Sequence, residues 1–322
     1  MTYDLCAIGN ALVDIIVSTD DEFLRKHSVA KGAMTLVDDK TASELYAHSG
    51  SAVEMSSGGS AANTLAGVAS LGGNAAFMGK VGGDQFGDVF AHDLRAQNIV
   101  FSSPVSPDLP TGRCLILVTP DAQRSMSTYL GAAVEFGTED IDAQLVQHSS
   151  ITYLEGYLFD KEPAKQAFLK ASKLSHDAGK KMALTLSDTF CVMRHREAFL
   201  DLVRNQVDIL FANENEIQTL YETKDLNAAI KAVRAHTDIA VVTLGSKGAL
   251  VVSGENTYEI PPHPVASVID TTGAGDLFAA GFLYGHTHGK ALAESARIGA
   301  IAAAEVISHY GPRPQKKLTQ LV

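Results

Sequence analysis

Val-Ile-Asp-Thr-Thr-Gly-Ala-Gly-Asp-Leu-Phe-Ala-Ala-Gly-Phe-Leu, residues 268–283, is the stretch whose reading decides the fold. A β-branched pair, Val268 and Ile269, runs into Asp270, Thr271 and Thr272, and then into Gly273-Ala274-Gly275. From Asp276 onward, Leu277, Phe278, Ala280, Phe282 and Leu283 recur at helical spacing. The pattern predicts strand, tight turn, helix. Small residues at 273–275 let a ligand approach the backbone, and the first N–H groups of a helix have no partner inside it. Such a place favours an anion, phosphate above all. Asp276 sets a carboxylate beside that anion, on the first helical turn. The helix dipole keeps it ionised and able to accept a proton from an attacking hydroxyl. The alternative is that Asp276 only caps its helix and the glycines only turn the chain.

A second glycine cluster lies upstream. Residues 58–87 hold nine of the 27 glycines. Gly58-Gly59-Ser60-Ala61-Ala62-Asn63 opens a helix through about 71, and a strand is predicted at 75–81. Gly82-Gly83-Asp84 opens another helix, with Asp84 read as its N-cap. Before this cluster, 3–9 reads as a buried strand ending in Gly9-Asn10, with Asp14 ahead of a second apolar run. Strand carboxyl ends are where open α/β sheets bind ligands, and an amide beside a carboxylate suits adjacent hydroxyls of a sugar. As turn or cap residues, Asn10 and Asp14 have a plainer reading.

Three further stretches, 32–37, 113–118 and 124–130, read as strands that break the strand–helix alternation. They predict a small separate sheet closing over the site as a lid. Arg124 follows the turn between the last two, within reach of a phosphoryl group or else solvated. From 150 to 260 the pattern is regular. Strands at 151–154, 182–186, 207–212 and 239–244 alternate with helices at 162–178, 195–204, 214–222 and 226–236. These are βαβ units, hence a mainly parallel sheet covered by helices on both faces. Asn213 and Glu216, after the strand at 207–212, offer oxygen ligands to a hydrated magnesium ion, or simply begin a helix. Thr243, Gly245 and Gly248 form another glycine turn after a strand, suited to a nucleotide. A last helix is predicted over about 290–307, ended by Gly311-Pro312-Arg313-Pro314.

Composition sets limits on function. At 322 residues, 46% hydrophobic and 20% charged, the chain can bury a large core. A net charge of −11, with no basic run longer than Lys180-Lys181 or Lys316-Lys317, argues against nucleic acid or an anionic membrane as partner. Cys6, Cys114 and Cys191 lie far apart, as in a reducing compartment. The N-terminus lacks a secretory pattern and the apolar stretch at 298–307 is too short to span a bilayer, so a cytoplasmic location is expected. Walker-A, protein-kinase and Gly-x-Gly-x-x-Gly dinucleotide motifs are absent from the sequence, which weakens those three classes.

Taken together, these residues resemble the PfkB (ribokinase-like) carbohydrate kinases over nearly the whole chain. The stretch 58–87 is similar to the family's N-terminal signature, Asp270–Asp276 to its C-terminal signature, and Asn213-x-x-Glu216 to its magnesium-associated motif. Within the family, Gly9-Asn10, Asp14, Gly58-Gly59-Ser60, Asn63, Arg124-Ser125, Gly156-Tyr157 and Phe190 resemble the adenosine kinase branch. The resemblance implies an α/β, ribokinase-like three-layer α/β/α fold with a mainly parallel central sheet and a small β-sheet lid. It also implies one domain over 1–322, with the lid formed by about 11–39 and 98–130. It implies transfer of the γ-phosphoryl group of ATP to a primary hydroxyl, the 5′-OH of adenosine foremost; another nucleoside or a sugar of the ribose or fructose type is the alternative.

By the same resemblance, Asp276 is the base, residues 273–276 are the anion hole, and Arg124 assists. Asn10, Asp14, Gly58, Gly59, Ser60 and Asn63 hold the sugar. Tyr157, Phe190, Met34, Leu36 and Met126 enclose the base. Gly273, Ala274 and Gly275 cradle the phosphoryl group, and Asn213, Thr243, Gly245, Gly248, Thr272, Gly273 and Gly275 bind ATP. Magnesium is held through water near Asn213 and Glu216. Several relatives respond to potassium, for which Asp270 is the candidate. A monomer or homodimer is expected. Two rivals from other classes are a non-catalytic sugar- or nucleoside-binding protein and a dinucleotide oxidoreductase.

Overall fold

The computed structural model describes residues 2–102, 104–121 and 123–322. Its main sheet has nine strands, in the order Asn256–Ile260, Ala249–Ser253, Ile239–Thr243, Ile209–Asn213, Lys181–Thr185, Ser149–Glu155, Tyr3–Ile8, Ala75–Met78 and Val100–Ser102. Pairing is parallel from Ile239–Thr243 to Val100–Ser102, and the two remaining strands join antiparallel at the other edge.

Alternation along these strands divides the core in two. Leu5, Ala7, Tyr153, Ile209, Phe211 and Val241 pack with the helices Ser60–Ser70, Gln85–Ala96, Ala274–Thr287 and Leu292–Val306. Their neighbours Cys6, Ile8, Leu154, Leu210, Ala212 and Val242 pack on the other side, with Glu162–Asp177, Thr189–Asn205, Glu214–Leu220 and Leu226–Val233. Period-2 side chains buried on both faces are what a helix-covered parallel sheet requires, and they produce the three-layer α/β/α arrangement.

A second sheet of five strands runs Met34–Leu36, Arg124–Gly131, Thr111–Val118, Leu12–Ser18 and Glu54–Gly58. One face, carrying Val13, Ile15, Val17, Leu115 and Leu117, joins the core. The opposite face carries Leu12, Met34, Leu36, Met126, Thr128 and Leu130, which line the large cleft described below.

Several elements depart from their predicted form. The strand expected at 268–269 is absent: Val268 and Ile269 are exposed, and the Ile269 N–H donates to the Ile307 carbonyl at 2.8 Å. The sheet has already ended at Asn256–Ile260, and Pro261, Pro262 and Pro264 follow with no N–H to give a ladder. The Glu54–Gly58 strand belongs to the small sheet, beyond the lid segment 11–39, while Val100–Ser102, inside the segment 98–130, pairs in the main sheet. The helix expected at 195–204 runs Thr189–Asn205, capped by Asp188 and bent at His195. Asp84 accepts from the Gly87 N–H at 2.9 Å and is the N-cap of Gln85–Ala96, as predicted.

Candidate active site

The main cleft, about 870 Å³, opens at the carboxyl ends of the parallel strands and beneath the small sheet. Its floor is the loop 271–275 and the first turn of Ala274–Thr287. Gly273 is the N-cap, at φ 79°, a conformation that only glycine adopts freely. A Cβ there would also lie 2.6 Å from the Pro312 carbonyl oxygen, so the returning tail as well as the turn demands glycine. Gly275 has open space where a Cβ would sit, leaving its backbone approachable from the cleft. Asp276 follows in the first turn, where the helix has no internal partner for its N–H groups.

Two side chains hold Asp276. Ser60 Oγ donates to Oδ1 at 2.6 Å and Asn63 Nδ2 donates to Oδ2 at 3.1 Å. Both come from the helix Ser60–Ser70, whose entry residue Gly59 sits at φ 95° with no room for a Cβ against the Asn10 carbonyl. Burial pushes the Asp276 carboxyl above its ordinary range, and the two hydrogen bonds pull it back. Burial thus opposes the helix dipole that the sequence reading relied on.

Asp14, on the strand Leu12–Ser18, is within electrostatic reach of Asp276 but does not line the cleft. Among the described residues no hydrogen bond reaches its carboxylate. A Cβ at Gly58 would sit 2.3 Å from that carboxyl group, so Gly58 is there to make room for it. Burial raises Asp14 to about 6, opposed by the positive charges of Arg313 and Arg124.

Glu155, which sequence reasoning did not single out, ends the strand Ser149–Glu155 at the cleft and is 1% exposed. It accepts from Asn10 Nδ2 at 2.8 Å and from the Ala61 N–H at 2.9 Å, joining two of the predicted sugar-binding segments. Burial raises it to about 7. The local signal was a polar residue closing an apolar strand just before Gly156-Tyr157.

Met34, Leu36 and Met126 line the same cleft as Tyr157 and Phe190. Phe190, in the first turn of its helix, is 72% exposed. Such a ring is apolar surface open to a ligand.

At the other end, Thr243 and Thr272 line the cleft with Asn213 and Glu216. Asn213 and Glu216 form a capping box: Asn213 Oδ1 accepts from the Glu216 N–H, and Glu216 Oε2 accepts from the Asn213 N–H, each at 2.9 Å. Burial raises Glu216 to about 7, and no cationic side chain offsets it among the described residues. Gly245 and Gly248 do not line the cleft; Gly248, at φ 91°, allows its backbone to pass against the Ile260 carbonyl.

Arg124 is neither solvated nor in the cleft. It pairs with Asp270 Oδ2 at 2.7 Å, both side chains being largely buried, and its guanidinium lies 5.3 Å from the Tyr310 ring centre. Asp270 also accepts from the Thr272 N–H and hydroxyl on Oδ1 and from the Gly311 N–H on Oδ2. With both oxygens engaged and a guanidinium already present, Asp270 does not fit the potassium site read for it.

Comparison with known proteins agrees with this architecture. A model of "pfkB family carbohydrate kinase" matches residues 26–318. Adenosine kinase of Saccharomyces cerevisiae is 29% identical, the match covering 99% of each chain. Crystal structures of adenosine kinase from Sinorhizobium meliloti and of a probable sugar kinase from Rhizobium etli CFN 42 are 48% and 47% identical. Both superpose with TM-score 0.92 over 100% of this chain and 98% of theirs. A family match across most of the length, on this fold and with this cleft, means that the chain belongs to the pfkB family of carbohydrate kinases, phosphotransferases acting on a hydroxyl group.

Proposed function

We propose that this kinase transfers the γ-phosphoryl group of ATP to the 5′-hydroxyl of adenosine. The observation that carries the reading is Asp276. It is a partly buried carboxylate on the first turn of a helix, hydrogen-bonded by Ser60 and Asn63, in a cleft that also has an apolar wall.

Asp14, Gly59 and Asn63, with Asn10 held by Glu155, bind the ribose hydroxyls. Asp14 brings an unengaged acceptor pair, and a vicinal diol brings two donors. The purine lies between Tyr157 and Phe190 on one side and Met34, Leu36 and Met126 on the other, with the small sheet acting as a lid. Apolar and aromatic walls with few polar groups favour a flat heteroaromatic base over a bare sugar. Asp276 takes the proton from the 5′-hydroxyl as its oxygen attacks phosphorus, and the ADP oxygen leaves with the bond's electron pair. The N–H groups of residues 273–276 hold the charge on the transferring group, so catalysis is mostly positioning and electrostatics.

ATP lies along Thr272, Thr243 and Asn213. Glu216 suits magnesium, since a buried carboxylate without a cation gains from one, and a magnesium ion needs only one or two carboxylates besides phosphate and water. Bound there, magnesium neutralises phosphate charge. Arg124 stays on Asp270 and steadies the loop that carries the anion hole.

The reading is tested by ADP release from magnesium ATP with adenosine, inosine, guanosine, ribose and fructose 6-phosphate as acceptors. The expected result is a kcat/KM for adenosine at least about 100-fold above the others, the scale on which a base-shaped pocket discriminates. Preference for a bare sugar would retain the family chemistry and reject the base pocket.

A further inference from the structure

In sequence, Gly311-Pro312-Arg313-Pro314 reads only as a helix stop. In the fold this segment passes behind the catalytic loop, where the Gly311 N–H reaches Asp270 and Pro312 packs on Gly273. That path delivers Arg313 to the back of the acceptor site. Arg313 Nε donates to Asn63 Oδ1 at 3.3 Å, and Nη1 donates to Asp93 Oδ2 at 2.8 Å. Asp93 also accepts from the Ser57 N–H at 2.9 Å, next to the Gly58 that makes room for Asp14. The remaining nitrogen, Nη2, is buried without a hydrogen-bond partner among the described residues.

Asn63 thus stands between two groups of opposite need. Its amide has one carbonyl oxygen and one NH2. Arg313, which only donates, takes the oxygen; Asp276, which only accepts when ionised, takes the NH2 at 3.1 Å. A half-turn of the amide would set donor against donor at Arg313 and acceptor against acceptor at Asp276. Arg313 therefore decides which end of Asn63 the carboxylate meets.

We propose that Arg313 is a positioning residue of the acceptor site: by holding the Asn63 carbonyl it keeps the amide N–H on Asp276, and with Asp93 it fixes the glycine strand beside Asp14. The inference rests on the reading of Asp276 as the base. Charged and titratable groups facing this cluster are Asp14 from the small sheet, Glu155 and Tyr153 from the main sheet, Tyr157 just beyond it, and Arg124 and Glu54 around Asp14. Arg313 is the strongest positive influence on Asp14, and the Asn63 N–H is one of two donors on Asp276. Loss of Arg313 removes the first and frees the amide that supplies the second, so both carboxylates protonate more readily. Since a base works only when deprotonated, the acid limb of the rate profile moves to higher pH.

The test is a 13C-carboxyl NMR titration of Asp276, with kcat/KM for adenosine followed over the same pH range, in wild type, Arg313→Met and Arg313→Lys. In Arg313→Met the Asp276 titration and the acid limb are expected to move up by about one unit, with roughly tenfold lower kcat/KM on the acid limb. Arg313→Lys retains a charge and a donor and is expected to restore much of the shift. An unmoved titration in Arg313→Met, even with lowered thermal stability, overturns the proposal. If Arg313→Met does not fold, Arg313→Gln, which keeps most of the volume but loses the charge, must show an upward shift, and an unmoved titration there overturns it too. A shifted titration in a protein that phosphorylates no acceptor would leave the positioning role intact and reject the kinase reading of the base.

Discussion

Replacing Asp276 by Asn removes the negative charge while keeping size and shape. Its neighbours allow the substitution. In Asp276→Asn the new amide carbonyl accepts from Asn63 Nδ2 where Oδ2 did, and the new NH2 donates to Ser60 Oγ, which is an acceptor as well as a donor. The site geometry survives, and a desolvated charge is gone, so the thermal midpoint should not fall. The proton acceptor is lost, however. General-base catalysis is worth roughly 10²–10⁴-fold. At about 1.4 kcal/mol per factor of ten, that is a barrier higher by about 3–5 kcal/mol. Steady-state ADP release should show the loss in kcat, while calorimetric binding of adenosine without ATP changes by less than about tenfold, since the proposed ribose contacts of Asp14 and Asn63 do not depend on the charge. An Asp276→Asn protein with kcat within about tenfold of wild type would refute the assignment of the base. So would one whose loss appeared only in binding.

Other expectations follow from single residues in and around the cleft. Gly58→Ala places a methyl group 2.3 Å from the Asp14 carboxyl, so the proposed ribose acceptor must move, and KM for adenosine should rise by at least about tenfold in steady-state assays. Phe190→Ala should raise KM by about tenfold, the worth of roughly one stacked base, and leave stability to urea unchanged, because the ring is 72% exposed. Glu155 gives a pH dependence of stability. Its folded value of about 7 lies above the ordinary 4.5, so its contribution is fully present below about 4.5 and is lost as pH rises through about 7. The loss on the alkaline side is about 3 kcal/mol by the same linkage. Urea unfolding of the ligand-free protein should therefore weaken between about pH 5 and 8, and Glu155→Gln should reduce that slope, to which Asp14 and Glu216 also contribute; a wild-type curve that rises over this interval would contradict the assignment.

What the sequence revealed was what local chemistry encodes. Gly273-Ala274-Gly275-Asp276 carries its turn, its helix start and its carboxylate in four consecutive residues, and the apolar runs at 151–154 and 239–244 announce a sheet buried on both faces. Asp84 was recognisable as a cap because its partner, the Gly87 N–H, is three residues away. What stayed hidden depends on distant partners. Glu155 meets Asn10 across 145 residues, and Arg313 meets Asn63 across 250. A glutamate after an apolar strand and an arginine between prolines look ordinary until the fold unites them. Arg124 was noticed, but its pairing with Asp270 was not, since nothing near either residue indicates the other. The pair Val268-Ile269 was misread for a similar reason. β-branched residues make a strand only where an unpaired neighbour is at hand, and here the sheet had already closed on the hairpin formed by Ala249–Ser253 and Asn256–Ile260.

The most direct test of the central claim is identification of the product. Purified protein is incubated with magnesium ATP and adenosine, and the phosphorylated product is analysed by 31P NMR and mass spectrometry. Adenosine 5′-monophosphate and ADP, formed in equal amounts by wild type and at least about 100-fold more slowly by Asp276→Asn, is the result this account predicts. Adenosine recovered unchanged while ribose or a sugar phosphate is phosphorylated, or phosphate found on a ribose hydroxyl other than the 5′ position, would contradict it.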